Sequence, residues 1–251
     1  MEKVIVILGP TASGKTALGI KLAKKFSGEI ISADTFQIYK GMNIGTSTPS
    51  SNELSQVKHY FINIKYPNES YNAYDFMIEA RKKIDSIIRR NKIPIIVGGS
   101  GFYIQTLLGD RRIKDKNHPE KVVPQNASRN YRIFQALLIG LDMDRQILYK
   151  KINGRVNKMI KMGLIQENEK LYRNSGDFQS KKAIGYKEFY NYFLGKESLP
   201  KVIENIKKDS RHYAKRQLTF FHNQFPDIIW INKTTLKNDL QKVYSIVKKF
   251  Y

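Results

Sequence analysis

Apolar residues in the first hundred positions follow two rhythms. Lys3-Val-Ile-Val-Ile-Leu8, Glu29-Ile-Ile-Ser-Ala33 and Ile93-Pro-Ile-Ile-Val97 are short, nearly continuous apolar runs of strand length. Ala17 to Lys25 and Tyr74 to Arg90 have helical spacing. In the second, Phe76, Ile84, Ile87 and Ile88 recur on one face, and Arg81, Lys82 and Lys83 fall largely elsewhere. Tyr60-Phe-Ile-Asn-Ile64 reads as a further short strand. Asn43 to Asn52, rich in Gly, Ser, Thr and Pro, reads as loop. Strands alternating with helices in this way predict a parallel sheet covered by helices on both faces.

Past residue 109 the rhythm lapses. Residues 110–130 are polar, basic and weakly periodic, and read as a linker. Gln135-Ala-Leu-Leu-Ile-Gly-Leu141 predicts a strand returning to the same sheet. Asp144 to Lys161 predicts a helix, with Asp144 as N-cap and Leu148, Ile152, Val156 and Met159 at core spacing. Pro200 to Phe221 predicts another, with proline in its first turn. The expected fold class is α/β, a phosphate-loop NTPase-like parallel sheet flanked by helices. Residues 1–109 form the first part of the core, 110–134 a linker, and 135–251 the rest of the core with basic C-terminal helices.

Composition narrows the class. The 251 residues are 41% hydrophobic and 26% charged, ordinary for a soluble globular chain able to bury a full core. No apolar run approaches the roughly 18 residues of a membrane span, and the first residues lead straight into a strand, so neither membrane anchorage nor a signal peptide is expected. With no cysteine, disulfides, a thiol nucleophile and Cys-ligated metals are excluded. A cytoplasmic monomer is expected. The net charge of +22 is uneven. Residues 1–110 hold 14 basic against 9 acidic residues, and residues 111–251 hold 30 against 13. A basic second half with interleaved aromatics points to a nucleic-acid partner, although a lysine-rich solvated surface has the same composition.

The chemistry begins at Gly9-Pro-Thr-Ala-Ser-Gly-Lys-Thr16, a complete Gly-x-x-x-x-Gly-Lys-Thr phosphate loop between a strand run and a helical run. Its backbone N–H groups and the helix N-terminus suit a phosphate, Lys15 the outer phosphate oxygens, and the Thr16 hydroxyl a Mg²⁺ ion. Asp34 follows the second strand, on the side of the sheet where ligands bind. It suits a general base or a metal contact, and equally the cap of the next turn. Ile93–Val97 ends in Gly98-Gly99-Ser100-Gly101, not in the acid a typical ATPase places there. Arg155, Arg211, Lys215 and Arg216 lie on predicted helices, where one could face a diphosphate or all could be solvated. His59, His118, His212 and His222 lack metal-ligand spacing and read as structural or surface residues.

Taken in order, the phosphate loop, Ser32-Ala-Asp-Thr-Phe-Gln-Ile-Tyr-Lys-Gly-Met42, Gly45-Thr46, Gly98 to Ile104, Ala183-Ile-Gly-Tyr-Lys-Glu188 and Ser210 to Gln217 closely resemble the tRNA dimethylallyltransferase (isopentenyltransferase) family. The resemblance implies transfer of the dimethylallyl group of dimethylallyl diphosphate to N6 of the adenosine 3′ of a tRNA anticodon, with Mg²⁺. It implies that Gly9, Pro10, Thr11, Ala12, Ser13, Gly14, Lys15 and Thr16 bind diphosphate, Thr16 partly through the metal. Asp34 matches the family's general base and Arg155 its diphosphate-contacting arginine, and Ser100 stands beside the reacting centre. Thr35, Phe36 and Gln37 would frame the flipped base, and Lys182, Ala183, Ile184, Gly185, Tyr186 and Lys187 match a tRNA-contacting stretch. One departure stands out. The family's helical insertion, which grips the anticodon stem-loop, should follow Leu108, but only about 25 residues separate that point from the next strand, too few for a helical domain. His118-Pro119 reads as a remnant of it.

Two other classes compete. A phosphate-loop small-molecule kinase would turn over ATP and use Arg111-Arg112 as lid arginines. An RNA-binding module with a degenerate site would not need Lys15, Thr16, Asp34 and Arg155 together. Tyr186, Tyr190, Tyr192 and Tyr213 serve as stacking platforms in the nucleic-acid readings and as core in the bland one.

Overall fold

The unbroken apolar runs become strands buried on both faces. In the computed structural model, which describes residues 1–109, 132–173, 179–232 and 236–251, β1 (Lys3–Leu8), β2 (Gly28–Ala33), β3 (His59–Tyr60), β4 (Ile93–Gly98), β5 (Gln135–Asp142) and β6 (Ile229–Asn232) form one sheet. Their order is β3-β2-β4-β1-β5-β6, and every pairing is parallel. Side chains alternate across the sheet. Val4, Val6 and Leu8 join one layer with Ile31, Ile96 and Leu138, and Ile5 and Ile7 join the other with Ile30, Ile95 and Ile139.

Helices close both layers. They are α1 (Lys15–Lys25), α2 (Ser51–Gln56), α3 (Ala73–Arg89), α4 (Gly101–Leu108), α5 (Arg145–Lys161), α6 (Leu164–Arg173), α7 (Tyr190–Phe193), α8 (Leu199–Gln224) and α9 (Leu236–Phe250). Leu18 and Leu22 of α1 and Val243 and Val247 of α9 cover one face; Phe76, Ala80 and Ile84 of α3 and Ile104 and Leu107 of α4 cover the other. Helix α3 starts in a capping box between Asn72 and Asp75, and α5 starts at Asp144, whose carboxylate accepts from Gln146 and Ile147 N–H. Helix α8 ties a satellite cluster to one of these layers. Its Val202 and Ile206 pack in a satellite cluster with Val156, Leu164 and Phe189, and its Phe221 reaches the main core.

Several sequence expectations need correction. The run Tyr60–Ile64 is not a strand: pairing stops at Tyr60, because Phe61 and Asn63 take left-handed φ of 64° and 53° and turn the chain. The loop read over Asn43–Asn52 ends earlier, because Ser50 and Glu53 form a capping box that starts α2. Of the 110–134 linker, residues 110–131, with Arg111-Arg112 and His118-Pro119, lie outside the described residues; Ile133 N–H already donates to Leu108 O at 3.0 Å.

The glycine at the end of β4 is compulsory. A Cβ on Gly98 would run into the carbonyl of its register partner Ala33, which is backbone and cannot swing aside. Gly98→Ala should cost about 3 kcal/mol or more, read as a lowered denaturant midpoint at unchanged slope.

Candidate active site

Parallel strands bring their carboxyl ends to one edge, and the cavity lies there, with a volume of about 660 Å³. After β1 the chain turns sharply. Gly9 (φ 142°) packs so closely on β5 that a Cβ would meet Leu141 O at 2.6 Å, and Ala12 and Gly14 take φ of 63° and 89°. Helix α1 then begins without a side-chain cap, so its first-turn N–H groups face an anion site. Thr11, Ala12, Gly14, Lys15 and Thr16 line the cavity. Gly9, Pro10 and Ser13 do not. Ser13 is buried, and its hydroxyl has no hydrogen-bond partner among the described residues.

Lys15 Nζ donates to Pro10 O at 2.8 Å and is poised over the loop. Burial lowers its pKa to about 8, against the attraction of Asp34 and with help from Arg155. Arg155 is held below its ordinary value by burial, and Asp34 opposes that shift. The two cations and the carboxylate therefore sense one another across the site.

Asp34 caps the next turn and also lines the cavity. Alternation along β2 puts Ile30, Ser32 and Asp34 on the cavity side, and Asp34 Oδ1 also accepts from Phe36 N–H (2.9 Å) and Gln37 N–H (3.3 Å). Phe36 and Gln37 line the cavity and Thr35 does not. The Thr35 N–H donates to Ser100 Oγ at 3.1 Å and the two hydroxyls lie 2.9 Å apart. Ser100 is absent from the cavity wall and acts from behind, by fixing the Asp34 turn.

The opposite wall comes from the second half of the chain. Lys151, Arg155 and Met159, one turn apart on α5, face the cavity, as do Ser210, Tyr213, Arg216 and Gln217 of α8. Burial pushes the Tyr213 hydroxyl up to about 12, with Asp34 adding to the shift. Arg211 instead donates to Asn153 Oδ1 at 2.7 Å, and neither it nor Lys215 lines the cavity. Lys182, Ala183, Ile184, Gly185 and Lys187 form the rim; Lys187 Nζ pairs with Asp209 at 2.5 Å. Tyr186 contradicts its expected contact role, since its ring is wholly buried and its hydroxyl donates to Glu167 at 2.6 Å. Tyr190 is exposed away from the cavity.

Sequence reasoning missed several parts of the site. Gln217 accepts from Thr11 N–H at 2.8 Å and donates to Gly99 O at 2.9 Å, clamping α8 to the phosphate loop. Gln217→Leu would leave both backbone groups without their partner and should cost about 1–3 kcal/mol, visible as faster amide exchange at Thr11. His59, read as structural, lines the cavity, as does Lys151. Long sequence separations hid all of these. Among the described residues no group of three or more His, Cys, Asp or Glu side chains could hold a metal, and no helix is long and apolar enough to cross a membrane.

A parallel α/β sheet with a phosphate loop after its first strand, facing a basic helical wall, defines a protein of the phosphate-loop NTPase-like fold. The IPP transferase family model matches residues 37–131 and 118–224, and the chain belongs to that family. The chain is 53% identical over 249 residues to a tRNA dimethylallyltransferase of Oenococcus oeni, covering 99% of this chain and 96% of the relative. It is 36% identical to one from Lactobacillus johnsonii, with 100% and 99% covered. That second alignment has 304 positions against 251 residues here, so at least 53 of them are gaps in this chain. The O. oeni relative aligns with almost no gap and shares the short form. A tRNA isopentenylpyrophosphate transferase of Staphylococcus epidermidis superposes with TM-score 0.89 at 35% identity, over 100% of both chains. A eukaryotic dimethylallyltransferase acting on tRNA superposes with TM-score 0.85 at 26% identity, over 100% of this chain and 79% of the other.

Proposed function

We propose that this protein takes the dimethylallyl group from dimethylallyl diphosphate and attaches it to N6 of the adenosine 3′ of a tRNA anticodon, releasing diphosphate. The observation that carries the reading is the convergence of Lys15, Asp34 and Arg155 on one cavity, at a phosphate loop. The relatives named above favour prenyl over phosphoryl transfer, and hence this reading over the kinase.

The bond to break is C–O, and charge accumulates on the departing diphosphate. Lys15, Arg155 and the N–H groups of the loop are aimed at that charge, and burial strips the two cations of much of their hydration, where such stabilisation is largest. An adenine amine is a weak nucleophile, so Asp34 takes its proton as the new C–N bond forms. The Thr16 hydroxyl lines the cavity beside the loop, and an oxygen donor of this kind suits Mg²⁺ held mainly by diphosphate oxygens and water. The ion would supply further charge neutralisation to the leaving group. The target base must leave its stack to enter the cavity, where Phe36, Gln37 and Tyr213 are positioned to receive it. The basic second half supplies attraction to the RNA backbone. A monomer is the form proposed.

Radiolabelled dimethylallyl diphosphate, Mg²⁺ and an anticodon stem-loop provide the test. Label transferred to the RNA by the wild type and lost in Asp34→Asn supports the reading. ATP turnover without label transfer, to stem-loop or to full-length tRNA, would replace it with the kinase.

A further inference from the structure

Glu167 sits on α6 outside the cavity wall, yet it organises a part of the cavity. Its Oε2 accepts from Asn43 N–H (2.9 Å) and Ile44 N–H (2.9 Å), and its Oε1 from Gly45 N–H (3.1 Å) and the Tyr186 hydroxyl (2.6 Å). Three consecutive N–H groups converging on one anion form a nest, and here a carboxylate from a distant helix fills it. The far side of the loop is equally constrained, because a Cβ on Gly45 would collide with the buried Tyr186 ring. Residues 43–45 are thus clamped between a carboxylate and an aromatic ring.

The clamp ends on a residue of the cavity. The next two carbonyls, Thr46 O and Ser47 O, accept from Gln37 Nε2 at 3.4 and 3.3 Å, and Gln37 Oε1 accepts from the Ser32 hydroxyl at 2.9 Å. This network fixes the amide with its nitrogen toward the loop. Among the described residues it leaves a lone pair on Oε1 as the hydrogen-bonding capacity Gln37 can offer a ligand. Gln37 shares the Asp34 turn, so an acceptor beside the carboxylate matches an amine with two protons, one for each.

We infer that Glu167 is a positioning residue for base recognition. It holds the Asn43–Gly45 loop, the loop orients Gln37, and Gln37 presents an acceptor to the exocyclic amine of the target base. The inference rests on the proposed function and adds a residue that touches neither substrate.

A double-mutant cycle between Glu167→Gln and Gln37→Met tests it. Gln at 167 sets an amide donor against the loop donors and should lower kcat/KM for the stem-loop about tenfold or more, with donor affinity by calorimetry within about twofold. Gln37→Met should act similarly. If Glu167 acts through Gln37, the double variant falls no more than about threefold below the worse single. Multiplying effects, or donor affinity falling in parallel with the RNA term, would overturn the inference. Tyr186→Phe keeps the carboxylate on the loop and should give a few-fold loss that is also non-additive with Gln37→Met; it serves if Glu167→Gln fails to fold. A wild type that labels no RNA removes the proposed function as well, whereas additivity removes the inference alone.

Discussion

Asp34→Asn should lower prenyl transfer by about two to four orders of magnitude, the usual worth of a positioned general base, while leaving donor affinity within a few-fold. Asn is the informative replacement. Its side-chain oxygen can still accept from Phe36 and Gln37 N–H, so the turn survives and only the proton acceptor is lost. Asp34→Ala removes both functions and should add a loss of stability. A second consequence follows from the charges. Asp34 raises the proton affinity of Lys15, so removing its charge moves the Lys15 pKa further below about 8. The pH limit for donor binding should therefore fall in Asp34→Asn. An unchanged single-turnover rate would rule out Asp34 as the base.

Lys15→Met should weaken donor binding about ten- to hundredfold, the loss of a charge-assisted contact to phosphate, and make the free protein more stable. Burial holds the folded pKa of Lys15 at about 8 against an ordinary 10.5. Between those values the unfolded chain binds more protons than the folded one, so the Lys15 contribution to stability rises with pH across that window. Below about pH 8 the buried ammonium imposes its full cost, of order 1–3 kcal/mol after allowance for solvent reaching a half-buried side chain. Lys15→Met should thus raise Tm most below pH 8, and the gain over wild type should vanish toward pH 10.5. Donor affinity of the wild type should decline above pH 8, because the neutral amine loses its attraction for diphosphate. A stability gain for Lys15→Met that is flat with pH would show that the ammonium carries no burial cost.

Local signals made much of the fold legible. The strands at Lys3–Leu8 and Ile93–Gly98, the Asp144 cap and the core face of α5 follow from nearest-neighbour chemistry: alternation, helical spacing and a side chain that caps its own turn. The phosphate loop was equally legible, since its glycines and lysine act on backbone within a few residues. Tyr60–Ile64 misled because its apolar composition is that of a strand, whereas the left-handed Phe61 and Asn63 answer to packing that no local pattern records. Tyr186 misled in the same way: a tyrosine beside lysines suits RNA, but burial against Gly45 and the bond to Glu167 make it a wall of the fold.

By itself, then, the chain determined a phosphate-loop α/β sheet and a basic second half, because short-range sequence encodes backbone geometry and charge. Tertiary structure alone decided which arginines enter the cavity, Arg155 and Arg216 rather than Arg211, which side chains outside its wall support it, Ser100 and Glu167, and that Gln217 of the wall clamps the phosphate loop. Each of those contacts joins residues far apart in the chain, and a hydrogen bond between distant segments is fixed by how the layers pack, which leaves no periodic trace in either segment.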